Sequence, residues 1–183
     1  IIDYANSNLR NDFMDIYLGA KCSFCISTGF GFDYLPYIFR RPIVLMSLPV
    51  GDLRTHSEKF LLITKHHVLK KEKRKLSLSE IFSHGLAWAY DTKNFEKKGV
   101  ELIDCTAEEI KDMVIEMVEN LDFKKKLNPE DEELQKTFKN LFASNIKRIN
   151  YHEEVKAPFH KFHGQIRSRF STKFLRENKN WLR

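Results

Sequence analysis

The apolar positions of this chain switch between two periods. In NDFMDIYL (11–18), Phe13, Ile16 and Tyr17 return on one side of a helix, and Gly19 can close its C-terminus. CSFCIS (22–27) is a compact apolar run bounded by turn residues, the pattern of a buried strand. After the turn STGFG, the segment FDYLPYIF makes about two turns of helix, with Pro36 tolerable only near its start. PIVLMSL (42–48) is β-branched and apolar on both faces, a second strand. Strand, turn, short helix and strand make a βαβ unit whose connection is near the minimum for a parallel crossover.

FLLIT (60–64) reads as a third strand, and HHVLKKEKRK as a basic excursion after it. In SLSEIFSHG (77–85), Ser77 stands three residues before Glu80, a capping box, and Gly85 ends the helix. AWAYDTKNFEKKG suggests a short helix and a turn. VELID (100–104) is another strand and leads into TAEEIKDMVIEMVENL, where Thr106 and Glu109 repeat the capping box. Ile110, Met113, Val114, Met117, Val118 and Leu121 then keep helical spacing, so this helix packs one face on the sheet. Leu134, Phe138, Leu141 and Phe142 mark a helix from about 130 to 149, opened by Pro129 and acidic residues. The fold class expected is α/β: a Rossmann-like open parallel sheet with helices on both faces.

Length and composition keep this picture to one domain with a sizeable core: 183 residues, 42% apolar and 31% charged, with fifteen phenylalanines. No apolar stretch reaches the roughly 18 residues of a membrane span. The net charge of +6 fits an anionic partner, although runs such as KKEKRK (70–75) and KKK (124–126) also suit a solvated face. Three cysteines, Cys22, Cys25 and Cys105, point to a reducing compartment and not to a disulfide framework. Cys22 and Cys25 have redox or zinc spacing, but no second pair completes a zinc site.

In open α/β sheets, ligands bind beyond the carboxyl ends of the strands. The STGFG turn lies there, before a helix N-terminus whose N–H groups have no intrahelical acceptor. Gly29 and Gly31 let the backbone approach a ligand closely, with Phe30 between them; Ser27 and Thr28 offer hydroxyl hydrogen bonds. Together these suit a phosphate or diphosphate, although a plain strand-to-helix turn uses the same residue types. Asp33 can cap the helix or receive a sugar hydroxyl. Lys65, at the carboxyl end of the third strand, can meet phosphate. Arg40 and Arg41 precede the second strand at the opposite edge, where a structural role is expected. His160-x-x-His163 has helical ligand spacing but no evident carboxylate partner, so no metal and no cofactor are expected.

The run from Tyr4 to Pro49 resembles the C-terminal half of a family of bacterial GT-B-type glycosyltransferases. Ser7, Asp12 to Ile16, Ile26 to Gly29, Gly31, Pro36 and Phe39 to Pro42 carry the likeness, and SLSEIF, the VELIDCTAEEI block and the FLRENKNWL tail extend it. The resemblance implies a nucleotide-sugar-binding domain over residues 1–150. Residues 151–183 are then a tail that packs back on an N-terminal domain missing from this sequence, and its apolar face, with Phe170, Phe174, Leu175 and Trp181, is expected to be exposed. It also implies a metal-independent transfer from a nucleotide-sugar donor to a glycan, lipid or protein acceptor. The compartment expected is the cytoplasm, including the inner face of the membrane through peripheral association, with no nucleic-acid partner. The alternatives are a sugar-nucleotide epimerase, a pyruvyl-transferase-like enzyme, or a basic anion-binding module without catalysis.

Overall fold

A computed structural model describes residues 1–29, 31–48, 50–52, 57–121, 127–148 and 166–183. The runs that are apolar on both faces form a parallel sheet. Strands β1 (Cys25–Ser27), β2 (Ile43–Leu48) and β3 (Phe60–Thr64) lie side by side, with Cys25 opposite Ile43 and Ile43 opposite Phe60. Ile43, Val44, Leu45, Leu62 and Ile63 are fully buried, which is why β2 and β3 carry no alternation. β1, expected to be a buried strand, is instead at the edge of the sheet, with Ile26 47% exposed. Helices flank the sheet, and the architecture is α/β and consistent with a Rossmann-like fold.

Helix α1 (Asp12–Lys21) enters β1, and α2 (Tyr34–Ile38) connects β1 to β2. Asn11 caps α1 by accepting from the Met14 amide. Gly19 does not end this helix as its position suggested. It lies inside α1, where a Cβ would stand 2.6 Å from Leu35 Cβ, so the glycine lets α1 and α2 approach. Pro36 falls within the first turn of α2, where its missing N–H costs nothing.

The basic excursion after β3 is a strand pair instead. β4 (His66–Leu69) pairs antiparallel with β5 (Arg74–Lys75) on one side and with β6 (Val100–Ile103) on the other, forming a second, three-stranded sheet. Lys65 is the single residue between the two sheets. Helix α3 (Leu78–Ser83) and α5 (Ala107–Glu119) both begin with the complete capping boxes expected of Ser77–Glu80 and Thr106–Glu109. Between them α4 (Thr92–Lys97) starts at Asp91, whose side chain accepts from the Lys93 amide. Along α5, Met113 and Met117 are buried, whereas Val118 and Leu121 are exposed.

The tail corrects a further expectation. After α6 (Pro129–Arg148), residues Arg169–Phe170 form β7, the fourth parallel strand, beside β3. Helix α7 (Thr172–Glu177) and a 3-10 turn at Lys179–Leu182 follow. Phe170, Phe174, Leu175 and Trp181 are not exposed but buried in this chain's own core. Phe138 of α6 meets Phe170 with ring centroids 4.9 Å apart, and Trp181 stacks on Phe170 at the same separation. Gln135 of α6 acts as a surrogate strand for β7: its Oε1 accepts from the Phe170 amide at 3.0 Å and its Nε2 donates to the Phe170 carbonyl at 2.7 Å. Glu116 of α5 accepts from both the amide and the hydroxyl of Thr172.

Candidate anion-binding site at the carboxyl edge of the sheet

The turn after β1 stands at the carboxyl edge of the parallel sheet, as the βαβ reading requires. Gly29 and Gly31 have φ of 94° and 73°, a region that side-chain-bearing residues enter at a cost. Ser27 Oγ accepts the Gly29 amide at 2.9 Å. That bond narrows the expected cradle: the Ser27 hydroxyl and the Gly29 N–H satisfy each other within the turn, so neither is idle in this state. The remaining donors are Thr28, exposed at the tip, and the Gly31 and Phe32 amides, for which no acceptor stands among the described residues. A Cβ on Gly31 would meet open space, so the turn faces outward there. Phe30 lies outside the described residues.

Asp33 does not cap α2 as one of its expected roles required. Its side chain makes no cap bond to α2 and is 1% exposed. It lies close enough to Cys25 to help raise that thiol to about 11, behind the larger effect of burial and that of Cys22. Burial likewise pushes up Cys22, so neither thiol is a ready nucleophile.

Lys65 reaches the same edge from β3. Ser27 is level with Leu45, and Leu45 with Leu62, so Lys65 lies three residues further along a strand about 10 Å to the side. Its Nζ pairs with Asp104 at 2.7 Å, and both side chains have solvent access, so the pair can open toward an incoming anion. The start of α5 is pinned here too. Cys105 Sγ contacts the Thr64 carbonyl at 3.7 Å, and His66 Nε2 meets Glu109 Oε1 at 2.8 Å. Burial tends to lift the Glu109 carboxyl, but the Thr106 amide and His66 hold it below its ordinary value. His66 stacks on Phe174, while His67 faces Phe95, so adjacent histidines point apart as strand geometry dictates. Burial lowers His67 to about 4, leaving it a neutral core residue.

The arginines belong to the other edge. Arg41 Nε donates to the Ala20 carbonyl at 2.5 Å, tying the end of α1 to the start of β2. Arg40 turns the chain with φ of 56°. Among the described residues no group of three or more His, Cys, Asp or Glu could hold a metal ion, and His160 and His163 lie outside them. No helix among the described residues is long and apolar enough to cross a membrane. Searches against protein-family models, curated proteins and solved structures find no match to this chain.

Proposed function

We propose that this chain is the donor-binding part of a metal-independent glycosyltransferase of GT-B architecture, which takes a sugar from a nucleotide-sugar. One observation carries the reading: a glycine-bracketed, outward-facing turn closes β1 at the carboxyl edge of a parallel sheet, where such sheets bind ligands. The motif likeness from Tyr4 to Pro49 supports the choice of substrate class.

In this reading the Gly31 and Phe32 amides and the Thr28 hydroxyl receive the diphosphate. Lys65 exchanges Asp104 for a phosphate oxygen, and its charge stabilises the nucleoside diphosphate as the glycosidic bond breaks and negative charge gathers on the leaving group. Helix α2 has five residues, so local N–H groups contribute more than an extended dipole. Ser27 holds the turn's shape through the Gly29 amide.

The test is calorimetric titration of UDP-, GDP- and CMP-sugars into the chain and into Gly31→Trp. One donor should bind, and the variant should bind it at least about tenfold more weakly, because the indole fills the space a phosphate needs. No heat with any donor, or equal affinity in the variant, removes the reading.

A further inference from the structure

The amino edge of the parallel sheet gathers cations that the donor site does not use. A cavity of about 300 Å³ lies between Lys139 of α6 and Arg167 and Arg169 at the start of β7, with Glu58 on its wall. It shares Glu58 and Arg167 with a groove of about 640 Å³ that also takes in Ile38, Arg40 and Lys59. Among the described residues, five cations thus line the two hollows against one carboxylate. Among the described residues none of the five lies within ion-pair distance of a carboxylate. Lys139 is held below the ordinary lysine value, first by burial and then by the Arg169 charge, with Glu58 opposing. Glu116 also attracts Arg169, but burial pushes its carboxyl up and Thr172 already occupies its oxygens. Cations pressed together with so little counter-charge favour an external anion.

The rim decides which anion. Ile38 is 65% exposed and Phe39 44%, and both directly precede Arg40. The Arg40 carbonyl accepts from Lys59 Nζ at 3.4 Å, which holds the α2 end against the residues before β3. A dissolved anion would use only the cations. A lipid surface uses both sets: phosphate headgroups meet the cations while the apolar tip enters the headgroup boundary.

We infer that this edge docks on an anionic phospholipid membrane, with Ile38 and Phe39 at the acyl boundary and Arg40, Lys59, Lys139, Arg167 and Arg169 among the headgroups. The inference stands apart from the donor-site reading, because the turn after β1 lies at the opposite edge and stays open to solution while this edge is docked.

Co-sedimentation of the chain with vesicles tests it. Vesicles about one-third phosphatidylglycerol should bind at least about tenfold more tightly than pure phosphatidylcholine, and added salt should weaken that binding. Lys59→Gln/Arg167→Gln and, separately, Ile38→Asp should each weaken it about tenfold. Lys70→Gln/Lys71→Gln removes the same charge from the turn between β4 and β5 and should change it by less than about twofold. All these side chains are exposed, and unchanged circular dichroism confirms that the variants remain folded. No preference for phosphatidylglycerol, or an equal loss in the Lys70/Lys71 variant, overturns the inference. So does a single-stranded oligonucleotide that competes with the vesicles and binds Ile38→Asp as well as it binds the unaltered chain.

Discussion

The two edges of the parallel sheet are finished in opposite ways. At the β7 edge, Gln135 closes the backbone of Phe170 with both of its amide atoms, and Phe138, Phe174 and Trp181 seal the side chains. At the β1 edge no further strand pairs among the described residues. Phe13 and Ile16 of α1, Ile26 of β1 and Tyr34 of α2 are all largely exposed. Both regions are rich in aromatic residues, so composition does not separate them. Among the described residues, what separates them is whether a later segment returns to cover the face. An uncovered apolar edge is a surface that invites a partner, and a sealed one contributes only stability.

The sharpest way to break the comparison is at the sealed edge. Phe138 is fully buried and touches Phe142, Phe170 and Trp181. Truncation to alanine leaves a cavity among rings that cannot collapse together, so Phe138→Ala should cost about 3–5 kcal/mol in urea unfolding. A loss below about 1 kcal/mol would mean that the tail does not lean on α6 in solution.

A smaller effect isolates the polar half of the same seal. Gln135 is 5% exposed and serves two backbone groups of β7. In Gln135→Ala both the Phe170 N–H and its carbonyl lose their partners in a buried place. Each unsatisfied group costs about 1–3 kcal/mol, partly relieved if water enters, so a loss of about 2–4 kcal/mol is expected. Amide hydrogen exchange at Phe170 should speed up more than exchange at Leu62. Equal acceleration at both sites would show that Gln135 supports the whole sheet and not its edge.

These two residues also mark where the sequence stops being legible. β1 to β3, the capping boxes of α3 and α5, and the position of the STGFG turn follow from local signals: an apolar run, a Ser or Thr three residues before Glu, a glycine pair. β7 has no such signal. Arg169 and Phe170 are two residues in a basic tail, and they are a strand only because Leu61 and Gln135 stand on either side of them. β4 and β5 were hidden for a related reason. KKEKRK reads as solvated charge, and the pairing that makes HHVL a strand comes from VELI, distant in sequence. At the site, the edge of the sheet was legible from topology. The grip of Ser27 on Gly29 was not, because a hydroxyl beside a glycine can face a ligand or its own backbone with the same sequence. Gly19 misled in the same manner, since a glycine near a helix end serves equally as a terminator or as the thin point where Leu35 packs.

The open edge gives the smallest effect and the cleanest contrast. Phe13 is 71% exposed, and among the described residues its ring stacks only on Tyr17, four residues on, with centroids 6.0 Å apart. Such a pair on a helix surface contributes about 0.2–0.5 kcal/mol, and little apolar area is withdrawn from water around it. Phe13→Ser should therefore change stability by no more than about 0.5 kcal/mol, a small fraction of the Phe138→Ala loss, although both remove a phenylalanine ring. The same substitution should raise solubility, because it takes the largest exposed ring off α1. A cost above about 1.5 kcal/mol would mean that the ring is covered in solution, by the rest of the chain or by a second copy. A concentration dependence of the melting temperature separates those two, because covering by a second copy follows mass action and covering within the chain does not.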